Sequence, residues 1–218
     1  MGFIGDYYMR HSELPPPRAT HFMECWTASN GVFVRARREG VEAIIPVLLG
    51  PVPIIGLFPL STTFEMDYPR VSQAMVIELL AQSFDTRDPE TNELKEILFH
   101  LRWCNGAWSW TKPDQHQERA SVTPTVLYDT ELPAPLIDLH SHHVMRPFFS
   151  STDTKDEQGF RIYAVWGHLD SHPTLLVRIG IYGHFAPLPA SRVFELPSFI
   201  QDGFFSSRTH TPQEVWHR

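Results

Sequence analysis

The spacing of apolar residues divides the chain into three zones. In residues 1–66, short apolar runs predict strands over 21–26, 32–37 and 42–48, with Ser29-Asn30-Gly31 and Glu39-Gly40 as turns. This zone is expected to be a small β-rich N-terminal element. Its most apolar part, 41–60, is interrupted by Pro46, Pro51, Pro53 and Pro59. Prolines make it a poor membrane span, and a pair of buried strands with turns is expected instead.

The second zone, 67–185, opens with a predicted helix. Asp67 stands where an N-cap is needed and Pro69 falls near the first helical position. Ala74, Ile77, Leu80, Ala81 and Phe84 recur at helical spacing and predict the buried stripe. A polar turn over 85–92 ends the helix. Ile97, Phe99, Leu101 and Trp103 then alternate with His100 and Arg102, the pattern of a half-buried strand. Asn105-Gly106 predicts a hairpin turn into a strand over 107–111. Further strands are expected over 121–128, 136–142, 160–166 and 175–182, with a short helix after Ser150. One helix followed by many strands predicts an α+β sheet domain, not an alternating parallel fold. The third zone, 186–218, is rich in Pro, Ser, His and Phe. It is expected to be an irregular C-terminal tail that packs partly through Phe194, Phe199 and Phe204.

Composition narrows the function classes. With 218 residues, 42% of them hydrophobic and 20% charged, the chain reads as an ordinary soluble globular protein with a sizeable core. A formal net charge of −7 opposes a phosphate-backbone partner, so no nucleic acid is expected. The cluster Arg35, Arg37 and Arg38 is followed by Glu39 and Glu42, and a solvated strand or turn is its expected setting. Cys25 and Cys104 form no Cys-x-x-Cys pair, which excludes a four-cysteine zinc site and a disulfide framework. Two sparse cysteines suit a reducing cytoplasm, and residues 1–8 lack the pattern of a signal peptide.

The candidate chemistry lies in Leu136-Ile137-Asp138-Leu139-His140-Ser141-His142-His143. Residues two apart on a strand face the same side, so the imidazoles of His140 and His142 can converge on one metal, while Ser141 points away. Further along comes Ser150-Ser151-Thr152-Asp153, in which Asp153 can supply an oxygen as third ligand. Three protein ligands leave a zinc position for water, whose pKa the metal lowers toward neutrality. A His-x-His pair alone is cheap in a chain with 12 histidines. The full spacing His-x-His-x7-Ser-x2-Asp arises by chance on the order of once in 500 chains of this length.

That spacing over His140, His142, Ser150 and Asp153 resembles the motif of the JAMM (JAB1/MPN-type) zinc metallopeptidases. The resemblance covers roughly 67–185, and the layout is similar to bacterial members of the type found in PRTRC plasmid-associated systems. It implies a JAMM/MPN-like (cytidine-deaminase-like) mixed β-sheet flanked by helices. The implied activity is a deubiquitinase-like hydrolysis of a peptide or isopeptide bond at the C-terminus of a ubiquitin-like or carrier-type protein. The implied cofactor is Zn2+, held by His140, His142 and Asp153. The family also has a glutamate at the start of a strand after an amphipathic helix. Glu96 stands there, with Glu90 and Glu93 as rivals. By this resemblance Glu96 is the general base and then acid, and Ser150 orients the water or donates to the developing oxyanion. Partners implied are a protein or peptide substrate and E1-like and E2-like proteins, with no membrane. Two departures stand out: His143 replaces the proline usual after the second histidine, and Ile97-Leu98-Phe99-His100 is bulky where many members are glycine-rich.

Other residues have open readings. His143 can be an accessory ligand, an outer group supporting the ligands, or an exposed loop histidine. His168, His172 and His184 flank the last strands without a ligand spacing, and Trp103, Trp108 and Trp110 are expected mainly in the sheet core. The competing functions are a catalytically inactive scaffold of the same fold and another metal-dependent amidohydrolase. The barrels of the latter normally need a longer chain, with His-x-His near its start.

Overall fold

The computed structural model describes residues 6–17, 22–84, 86, 95–117, 122–124 and 134–206. Five strands come first: β1 (Tyr7–Met9), β2 (Glu24–Ala28), β3 (Gly31–Arg38), β4 (Val41–Leu49) and β5 (Thr63–Met66), which form one sheet in sequence order. The β1–β2 pairing is parallel and the rest are antiparallel. Helix α1 (Gln73–Phe84) follows. Then come β6 (Leu98–Cys104), β7 (Ala107–Thr111), the separate pair β8 (Gln115–Gln117) and β9 (Val122–Pro124), and β10 (Ile137–Ser141). The chain continues through α2 (Ser151–Asp156), β11 (Arg161–Gly167), β12 (Thr174–Ile181), β13 (His184–Leu188), β14 (Gln201–Asp202) and α3 (Gly203–Ser206). The second sheet has the order β13-β12-β11-β10-β6-β7, with β14 added beside β12. Its β10–β11 and β12–β14 pairings are parallel. This is an α+β architecture of two mixed open sheets, without the repeated βα units of a barrel.

One continuous core joins these parts. It takes Val34, Ala43, Ile45 and Phe64 from the first sheet, Val76 and Leu79 from α1, and Phe99, Leu139, Trp166 and Val177 from the second. The second sheet points alternate residues into this core: Ile137 and Leu139, Ile162 and Ala164, Val177 and Ile179. Its opposite face carries Asp138, His140, Tyr163 and Arg178 at the intervening positions. That face is covered as well, so His100 and Arg102 of β6, expected on a solvent side, are buried. The Asn105-Gly106 hairpin forms as expected, with both residues at positive φ (53° and 79°), as the mirror-image turn requires.

Several expectations are corrected. Helix α1 starts at Gln73, not beside Asp67 and Pro69, and Ser72 caps it through an Oγ contact from the Met75 N–H. Val71 is drawn into backbone hydrogen bonds with Val193 and Glu195 instead, which keeps it in a bridge outside the helix. The buried stripe is Val76, Leu79, Leu80 and Ser83, leaving Ile77 and Phe84 exposed. Both stripes have helical period, and the helix turns the one with the two adjacent leucines inward. The stretch 41–60 forms one strand, β4, and not two; 50–59 is a largely exposed loop that ends at buried Leu60. The arginine cluster is not simply solvated. Buried Arg35 donates to Glu42 and to the Pro15 carbonyl. Arg38 donates to the carbonyls of Ala134, Pro135 and Phe160, tying the first sheet to the approach to β10. Part of the expected tail is sheet: Ala186 lies in β13, and Phe194 is fully buried while Phe199 is exposed. The turn expected over 85–92 lies outside the described residues except for Thr86, as do Glu90, Glu93, residues 207–218 and most of the strand expected over 121–128.

The contrast between the two phenylalanines is testable by urea unfolding. Phe194→Ala should lower the unfolding free energy by about 3–5 kcal/mol, whereas Phe199→Ala should change it by less than about 1 kcal/mol.

Candidate metal centre

The centre is built where β10 meets β6. These strands run antiparallel with Ile137 opposite Leu101 and His140 opposite Leu98. Continuing that register by two residues sets His142 opposite Glu96, and opposed residues share a face. The backbone fixes the junction: Ser141 N–H donates to the Ile97 carbonyl at 3.1 Å, and Ile97 N–H donates to Ser141 Oγ at 3.2 Å. Ser141 is therefore structural, as its position between the ligands implies. His143, at φ 47°, turns back and donates from Nε2 to the Lys95 carbonyl at 2.5 Å. It is buried, supports the backbone next to Glu96, and is not an exposed loop histidine.

The expected ligands converge. His140 Nε2 and His142 Nε2 are 3.2 Å apart, and His140 Nε2 lies 3.8 Å from Asp153 Oδ1. One donor atom from each of the three residues falls within 4.8 Å of the others. Glu96 Oε1 lies 3.7 Å from His142 Nε2. Zinc–nitrogen bonds of about 2.0–2.1 Å at a tetrahedral centre set two nitrogens roughly 3.4 Å apart, close to the observed spacing of the imidazoles. Two imidazole nitrogens facing each other this closely gain from a shared cation, and two nitrogens with a carboxylate oxygen form a donor set suited to zinc. The residues fit the metal.

Asp153 reaches the histidines because of how α2 begins. Asp153 N–H donates to Ser150 Oγ at 3.1 Å, and Ser150 N–H donates to Asp153 Oδ2 at 2.5 Å, a reciprocal capping box. One carboxylate oxygen is thus occupied and the other is aimed at His140. Ser150 Oγ is the helix N-cap; its hydroxyl proton is the group the expected oxyanion role would use.

Electrostatics favour the ligand forms. Burial pushes the His140 imidazole down to about 4, with His142 and Arg178 adding to the shift and Asp153 opposing it. Burial also lowers His142 and His143. Neutral imidazole is the form that binds metal. Asp153 stays below the usual carboxylate range: burial raises it, but His140, the Ser150 hydroxyl and N–H, and His142 together outweigh that. Burial, helped by the Asp153 charge, raises Glu96 to about 8, so the site holds two carboxyl groups of different proton affinity.

Other residues support the centre without having shown themselves in the spacing. Arg178 donates to Glu157 and to Thr154 Oγ1 on α2, and its guanidinium lies 3.9 Å from the ring centres of both Phe149 and Phe185. It holds the helix that carries Asp153 against β12. At Gly167 a Cβ would stand 2.2 Å from the Pro147 backbone nitrogen, so only glycine lets the loop after His143 cross the end of β11. Phe148 packs edge-on against His142, with ring centres 4.6 Å apart. Glu157 and Arg178 carry opposite charges in separate elements, a pairing visible only once the sheet brings them together.

His168, His172 and His184 are not among the converging donors. Trp108 and Trp110 pack against the core, as expected, and Trp103 stacks on Tyr68. Cys25 and Cys104 are free thiols. No helix among the described residues is long and apolar enough to cross a membrane. No protein-family model and no curated protein matches this chain.

Burial of four neutral histidines gives the metal-free protein a defined pH dependence. His100, His140, His142 and His143 are all lowered from the ordinary imidazole value, chiefly by burial. The unfolded chain therefore takes up protons first as pH falls through about 6.5. Their neutral burial costs nothing above that pH, and stability is lost progressively toward pH 4. The carboxyls of Glu96 and Glu157, both raised to about 8 by burial, act in the opposite sense, because the folded protein holds those protons more tightly. The histidine contribution is therefore read by comparison with His140→Gln: between pH 7 and pH 5 the metal-free wild type should lose more melting temperature than this variant, and equal losses at constant ionic strength would contradict it.

Proposed function

We propose that the protein is a zinc-dependent peptidase or isopeptidase of the JAMM/MPN type. Its substrate bond would lie at the C-terminus of a ubiquitin-like or carrier-type protein. The observation that carries this reading is the meeting of His140, His142 and Asp153, with Glu96 alongside, from three separated segments of the chain. An inactive scaffold would have no need to bring these groups together.

Zinc bound at His140, His142 and Asp153 would supply Lewis acidity, lowering the pKa of a water and polarising the substrate carbonyl. The rest of the mechanism belongs to the chain. Glu96, beside His142 and drawn toward its carboxylate form when a cation is bound next to it, would accept a proton from the attacking water and return it to the leaving amine. Its raised proton affinity suits both halves of that transfer, because a group near neutrality gives up a proton as readily as it takes one. Ser150 donates its hydroxyl proton to the carbonyl oxygen as negative charge develops there. Phe148 and Phe149, next to the two histidines, restrict water around them.

The decisive variant is Glu96→Gln, which keeps shape and removes the base. It should retain the metal and lose about 100- to 10,000-fold in turnover of ubiquitin-like or carrier-protein fusions. Metal retained with undiminished turnover would remove Glu96 from the mechanism. A metal-loaded wild type inactive on every such fusion would favour the scaffold reading.

A further inference from the structure

The end of β4 and the loop after it have no part in the metal centre, yet together they carry the longest run of exposed apolar residues among the described residues. From Ile45 to Thr63 there is not one charged residue. Val47, Leu48, Leu49, Val52, Ile54, Ile55 and Phe58 are all exposed, Ile55 at 99%. From these exposures the seven side chains leave on the order of 800 Å² open, the area that one partner contributes to a stable protein interface.

The loop is held in place by the body of the protein. Ile54 N–H donates to the Ser29 carbonyl at 2.7 Å, Gly50 N–H to the Asn30 carbonyl at 3.0 Å, and Phe58 N–H to the Arg10 carbonyl at 2.9 Å. Asn30 adds two side-chain hydrogen bonds with the Leu60 backbone. Three of the segment's backbone donors are thus turned inward. Pro46, Pro51, Pro53 and Pro59 have no N–H to offer. The surface therefore invites side-chain packing and not the addition of a strand.

Its chemistry selects the occupant. A membrane-seated loop is normally anchored by Trp, Tyr, Lys or Arg at the interface, and 45–63 contains none. The net charge of −7 gives no attraction to anionic headgroups. For a second copy of this chain the same facts are favourable. An uncharged apolar patch is complementary to itself, so two copies can meet there without placing like charges in the contact. We infer that residues 47–58 form the centre of a two-fold homodimer interface. This inference is independent of the metal centre.

Sedimentation velocity of the full chain across a concentration series tests it. Wild type should sediment as a dimer. Ile55→Glu and, separately, Val52→Glu should each weaken the dimer at least about 100-fold, because a lone charge would be buried in an apolar contact. Both positions are exposed, so circular dichroism and melting temperature of the monomeric variants should match those of the dissociated wild type. A wild type that stays monomeric at every concentration overturns the inference. If that monomer pellets with phosphatidylcholine vesicles, the loop is a membrane contact instead. A dimer that survives both substitutions also overturns it, by placing the interface elsewhere.

Discussion

The antiparallel register between β6 and β10 is the constraint on which the centre depends. A slip of one residue would turn His140 and His142 into the core and Ser141 outward, and Glu96 would face the wrong side of its strand. The reciprocal hydrogen bonds between Ser141 and Ile97 lock that register at the point where both strands end. His143 adds a second lock through the Lys95 carbonyl. The apolar halves of the same strands, Phe99 and Leu101 against Ile137 and Leu139, make the alternative register costly, because it would expose fully buried side chains. The polar face can therefore hold buried histidines and carboxylates because the opposite face secures the strands.

The place of Asp153, the proposed third ligand, depends on a different device. Asp153 belongs to a six-residue helix that has no buried residue of its own. The capping box with Ser150 and the clamp of Arg178 on Glu157 and Thr154 give this short helix a fixed place. Ser-x-x-Asp is thus a helix start and, in the proposed centre, a ligand arrangement at once. The cap uses one carboxylate oxygen and orients the other, so the spacing that suggests the chemistry also has a folding role. The departure at His143 has a physical reading too: a proline there could neither donate from a ring nitrogen nor hold the Lys95 carbonyl.

Much of this was legible from residue spacing, where period and chemistry pointed the same way. His-x-His at the end of an apolar strand places both rings on one face whatever the tertiary context. Asn105-Gly106 is a local turn signal of the same kind. Legibility failed where two local solutions were equally good. The helix offered two apolar stripes, and only packing into the shared core chose Val76, Leu79 and Leu80. Ser72 and Asp67 could both cap it, and the pairing of Val71 with Val193 and Glu195, more than 120 residues away, decided between them. Burial of His100 and Arg102 was hidden because alternation predicts one wet face, while here both faces are covered. The loop 50–59 has the composition of core and the exposure of a surface, a conflict that no residue pattern within one chain resolves.

The most direct test of the central claim is the metal content of the purified protein, with wild type and His142→Ala measured side by side after incubation with zinc and removal of the excess. The account predicts about one zinc per chain in the wild type and little in the variant, with both equally folded, as expected for a three-residue site losing one ligand. A folded wild type that binds no zinc, or a variant that keeps all of it, would contradict the assignment of His140, His142 and Asp153 as a metal centre.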